Sequence, residues 1–100
     1  MNRKEWAIGR VHYWIEKASN IYNTNIPIPA ISFNSRLSTT AGQFRAKYSA
    51  SYEEGGYVWW DISFPVIELA THFLMNESPE DYDETIGHEV AHMVTDFING

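Results

Sequence analysis

His88-Glu89-Val90-Ala91-His92 sets two imidazoles four residues apart, with a carboxylate directly after the first. On a helix of about 3.6 residues per turn both rings lie on one face with Cβ atoms roughly 5–6 Å apart, so both can reach a single zinc ion. Glu89 falls about 100° further round, close enough to take a proton from a water that the ion activates but turned away from direct ligation. The pattern points to metal-assisted hydrolysis, with His88 and His92 as ligands and Glu89 as general base. The bland reading is a surface helix with two polar histidines and a solvated glutamate.

The motif needs a helix to hold it, and the flanking sequence supplies the signals. Ser78 reads as an N-cap, Pro79 as the first helical residue, and Glu80 and Asp81 as acids facing the positive end of the helix dipole. Tyr82, Ile86, Val90, Met93 or Val94, and Phe97 then recur at helical spacing, and Asn99-Gly100 reads as the C-terminal cap. Thr85, His88, Glu89, His92 and Asp96 fall largely off that stripe, which puts the ligands away from the main apolar seam.

Upstream, Ala7, Val11, Trp14, Ala18 and Ile21 predict a core-facing helix from about Arg3 to Tyr22, ended by Asn23-Thr24-Asn25 and the Pro27, Pro29 pair. Alternation predicts strands around Ile31 to Leu37 and Phe44 to Tyr48, with Thr39-Thr40-Ala41-Gly42 as the turn between them. Glu53-Glu54-Gly55-Gly56 reads as the next turn and Tyr57 through Phe64 as a third strand. Ser63 and Pro65 read as the start of a short helix with Val66, Leu69, Ala70 and Phe73 on its inner face. The expected architecture is α+β: an N-terminal helix, a three-stranded antiparallel sheet, a short helix and a C-terminal metal-binding helix, forming a single domain over residues 1–100. A three-stranded sheet needs a helix on one face, and the first and last helices carry the long apolar stripes.

Composition narrows the function classes. A chain of 100 residues with 44% hydrophobic residues folds around one core. With no cysteine, neither a disulfide nor a thiolate site for zinc is available, and a small domain without disulfides suits the cytoplasm. Seven basic against thirteen acidic residues give a net charge of −6, which disfavours a nucleic-acid partner. The N-terminus does not read as a signal peptide, and no stretch is long enough to span a membrane.

Several weak motifs occur in a definite order: Ile26-Pro27-Ile28-Pro29, Ile31-Ser32-Phe33-Asn34, Arg36-Leu37, Thr40-Ala41-Gly42, Ile62-Ser63-Phe64-Pro65, and the span from His88 to His92. In that order the chain resembles the SprT-like family of zinc-dependent metalloproteases, which includes a DNA-dependent eukaryotic protease. The resemblance implies a minimal zincin-like fold, Zn2+ as cofactor and a polypeptide substrate, with nucleic acid as a further partner of some relatives. It also implies a third histidine ligand a short distance after the motif helix, so the domain is expected to continue past Gly100. The family's frequent cysteine-rich zinc ribbon has no counterpart here.

Within the chain, Ile98 and Thr95 stand where a metzincin has its third histidine and a glycine, which excludes that class. Asp96, His72 and His12 are weaker internal candidates for a third ligand. Asp96, Asp83 and Glu84 are candidate partners for the outer ring nitrogens of the ligands. Thr40, Gly42 and Trp59 are expected to border the substrate cleft, where an extended peptide could add to a sheet edge. The competing expectations are a non-catalytic module that keeps the fold without hydrolysis, and a zinc hydrolase acting on a non-peptide amide.

Overall fold

The computed structural model describes residues 2–37, 40–48, 51–54, 57–60 and 63–99, with side chains described outside 44–64. Helix α1 spans Arg3–Tyr22, the predicted range. Asn2 caps it, its side-chain oxygen accepting from the Glu5 amide at 2.8 Å. Asn23 ends it in the left-handed region at φ 50°, with its amide bonding back into the last turn. Ala7, Val11 and Ile15 are buried, while Ile21, expected inside, is 68% exposed. Trp14 and Ala18 are partly buried against the core, and Ile15 joins the buried set beside them.

The strands are β1 (Ala30–Asn34), β2 (Gly42–Tyr48), β3 (Ser51–Glu54), β4 (Tyr57–Trp60) and β5 (Ser63–Ala70). A three-stranded sheet has the order β1-β5-β2, and β3 and β4 form a separate antiparallel pair. β2 runs antiparallel to β5, but β1 runs parallel to it, in register from Ala30↔Val66 to Asn34↔Ala70. The sheet is thus mixed, where an antiparallel one was expected. Because β5 lies between β1 and β2, the two strands are not paired as the hairpin that was expected; Gly42 belongs to β2, and Ser38 and Thr39 lie outside the described residues. Glu53 and Glu54 belong to β3, and the expected turn residues Gly55 and Gly56 lie outside the described set.

The larger correction concerns residues 63–70, which form the central strand and not the start of a short helix. Val66, Ile67, Glu68, Leu69 and Ala70 are all buried. A strand covered on both faces loses its alternation, and Val66, Leu69, Ala70 and Phe73 then match a helical spacing by accident. The short helix, α2, is Thr71–Asn76. Its C-terminal end is held by Arg3, whose guanidinium donates to the carbonyls of Leu74 at 3.0 Å and Glu77 at 2.7 Å.

Helix α3 spans Pro79–Asn99. The Ser78 hydroxyl accepts from the Asp81 amide at 3.3 Å, as its capping role predicts. The core lies between the helices and one face of the sheet. Ala7, Val11 and Ile15 of α1, Ile67 and Leu69 of β5, Leu74 of α2, and Tyr82, Ile86, Val90, Met93 and Val94 of α3 form it together. Phe97, expected on the same stripe, is 44% exposed. No helix among the described residues is long and apolar enough to cross a membrane.

Candidate metal centre

The motif occupies the third and fourth turns of α3, where the helix passes the start of β2. The Nε2 atoms of His88 and His92 face each other at 2.9 Å, with ring planes at 86°. Among the described residues each imidazole has the other as its only hydrogen-bond partner. Tetrahedral ligation with Zn–N bonds of about 2.0–2.1 Å separates two nitrogens by roughly 3.3 Å. The pair is within a few tenths of an ångström of that, so the two rings suit a shared cation.

Ligand atoms of His88, Glu89 and His92 all lie within 4.8 Å of one another, and these residues could hold a metal ion. Both histidines are exposed, but Glu89 is buried at 7%. The expectation that Glu89 lies off the apolar seam is corrected: Tyr82, Ile86, Glu89 and Met93 follow one another at spacings of 4, 3 and 4 on the buried side of α3. Its carboxylate makes no hydrogen bond or ion pair among the described residues, yet neither oxygen is sealed from the cleft. A shielded acceptor of this kind is suited to a proton arriving from a molecule in the cleft.

The cleft, about 710 Å3, is bordered by Gly42 and Gln43 of β2 and by His88, Glu89, His92 and Asp96 of α3. A second recess shares His88 and Glu89 and extends over Thr40, Ala41, Asp81, Glu84 and Thr85. Gly42 therefore borders both recesses, and Thr40 borders the one that shares His88. Trp59 falls in β4, and its side chain lies outside the described residues.

Space beside Gly42 is tight for a side chain. A Cβ on it would meet the Glu68 carbonyl at 3.3 Å and the Glu89 Cγ and Leu69 Cδ2 at 3.4 Å. The start of β2 thus passes close beside the base candidate.

Of the weaker ligand candidates, Asp96 borders the cleft without joining the close group, His72 lies exposed on α2 beside Asn76, and His12 lies exposed on α1. Asp83 points the other way, accepting from Arg10 Nε at 2.8 Å, Arg10 Nη2 at 2.9 Å and Trp14 Nε1 at 3.1 Å. It is not a partner of either imidazole. Sequence reasoning missed Tyr82 as a polar residue of the site's support. It is fully buried, and its hydroxyl donates to the Ala41 carbonyl at 2.8 Å.

A family model described as the SprT-like family matches residues 11–100. The chain belongs to the SprT-like family. The match takes in both walls of the cleft, the Thr40-Ala41-Gly42 segment and the motif helix. No curated protein and no solved structure matches the chain. Membership in the SprT-like family and the His-Glu-x-x-His group together fit a zinc-metallopeptidase-like module.

Proposed function

We propose that this chain is a zinc metallopeptidase in which His88 and His92 hold the ion and Glu89 is the general base. One observation carries the reading: two Nε2 atoms converge at 2.9 Å beside a buried carboxylate that no other group among the described residues engages. Family membership supports it.

When bound, zinc supplies Lewis acidity, lowering the pKa of water towards about 7 and polarising a scissile carbonyl. Glu89 accepts the proton of the attacking water as the water oxygen adds to the carbonyl carbon. It then delivers that proton to the amide nitrogen as the C–N bond breaks. The polypeptide is taken to lie along β2, which has a paired neighbour on one side only within its sheet and whose first residues border the cleft. The cytoplasm is the proposed compartment, and nucleic acid is left out of the reading because of the net charge of −6.

A second reading has its own support. Zinc hydrolases take three protein ligands, and among the described residues the close group contains two histidines and the base candidate. A module that holds a metal weakly and hydrolyses nothing fits that shortage. Zinc stoichiometry combined with casein hydrolysis by the native chain and by Glu89→Gln separates the two. Hydrolysis lost in the variant while zinc is retained supports the peptidase. Zinc bound with no hydrolysis by either favours the module, and hydrolysis unchanged by the substitution removes Glu89 as base.

A further inference from the structure

Among the described residues Glu89 reaches the cleft without a polar partner to fix it, so something else must set the direction of its carboxylate. The wall of the cleft beside it is the backbone of Gly42, spaced so that a Cβ there would be in ordinary contact with the Glu89 Cγ, at 3.4 Å. That wall is held in three places. Thr40 Oγ1 donates to the Gly42 carbonyl at 3.2 Å, the Ala70 amide donates to the Ala41 carbonyl at 3.0 Å, and the Tyr82 hydroxyl donates to that same carbonyl at 2.8 Å. Among the described residues, the Tyr82 hydrogen bond alone joins this segment to α3, the helix that carries Glu89. Tyr82 precedes Glu89 by two turns, so the two side chains emerge on the same side of α3.

We propose that Tyr82 is a positioning residue for Glu89, its hydroxyl clamping the Ala41-Gly42 entry of β2 onto α3 so that the Gly42 backbone confines the glutamate to one rotamer. The inference rests on the reading of Glu89 as the base. The hydroxyl is not needed to satisfy the backbone, because the Ala41 carbonyl keeps the Ala70 amide as a donor. A phenylalanine would fill the same apolar space, so the phenol's distinct contribution is the link between strand and helix.

The test is Tyr82→Phe in the full chain, read first without zinc. The Glu89 side-chain rotamer, followed by NMR scalar couplings, is expected to be single in the native protein and averaged in the variant. Amide exchange at Gly42 and Gln43 is expected to quicken by about five- to ten-fold, the equivalent of one net hydrogen bond, with the amides of Ile86 to Met93 unchanged. With zinc, kcat is expected to fall by a similar factor with KM and zinc stoichiometry unchanged. Tyr82→Trp, which restores a buried donor without the phenol's reach, is expected not to restore the single rotamer. A Glu89 rotamer that stays single in Tyr82→Phe overturns the proposal, as does exchange that rises equally throughout α3 and β5. Absence of hydrolysis by the native protein would sink the proposed function alone, because the zinc-free rotamer readout still decides this inference.

Discussion

Gly87 of α3 lies flat against the indole of Trp14 on α1: a Cβ at position 87 would stand 3.1 Å from Cε2 and 3.2 Å from Cζ2. The ring is held in place by Nε1 donating to Asp83 and by an edge-to-face contact with Tyr13 at a centroid distance of 5.4 Å. Alanine is favoured over glycine in a helix by about 1 kcal/mol, but overpacking costs about 1–3 kcal/mol. Gly87→Ala is therefore expected to lose about 1 kcal/mol net in urea unfolding. Gly9→Ala, on α1 with open space around it, is expected to gain about 0.5–1 kcal/mol. A gain at both positions would show that Trp14 can shift.

The Asp83 carboxyl is held below its usual range, first by the hydrogen bonds from Arg10 and then by that from Trp14, against the opposing effect of burial. A depressed folded-state pKa contributes stability above the unfolded value of about 3.9 and loses it as pH falls through the folded value. Stability of the native chain should thus decline with acidification below about pH 4 more steeply than that of Asp83→Asn. At pH 7 the variant should be about 1 kcal/mol less stable, a modest figure for a partly exposed pair. Urea midpoints at pH 7, 4 and 3 check both, and parallel curves for the two proteins would contradict the assignment.

Tyr82 sets the opposite limit. Burial pushes its phenol well above the ordinary tyrosine value. The associated stability is complete below the unfolded pKa of about 10 and is lost as pH rises from there towards the folded value. Tyr82→Phe should therefore lose less stability than the native chain between about pH 8 and 11, measured by urea midpoints. A larger loss in the variant would mean that other groups govern alkaline unfolding.

Zinc binding is measurable without any hydrolysis. A ligand that binds only the folded chain stabilises it by about 2.7 kcal/mol at 100 times its Kd. Thermal unfolding of the native chain should shift upward on adding zinc, and that of His88→Ala/His92→Ala should not. An equal shift in both would place the ion away from the motif.

The parts of this molecule that were legible in the sequence are those with local signals. Helix α1 could be read to the residue because Asn23 marks its end, and α3 could be read at its start because Ser78 and Pro79 cap and prime it. The convergence of His88 and His92 followed from helical spacing alone. Partner choice in the sheet was not legible, because β1 pairs with a strand more than thirty residues further on and nothing local encodes that. Strand β5 was read as part of a helix because burial on both faces erased its alternation. The same difficulty hid the burial of Glu89: position on α3 is local, but what covers it is β2, brought there by the sheet.

The register of β2 against β5 runs through to Tyr48↔Ser63, so the chain leaves and re-enters the sheet at two directly opposed positions. The excursion that carries β3 and β4 therefore begins and ends on one rung of the β2–β5 ladder. The length of chain between those two positions is thus not fixed by the span from Tyr48 to Ser63, which the ladder itself sets.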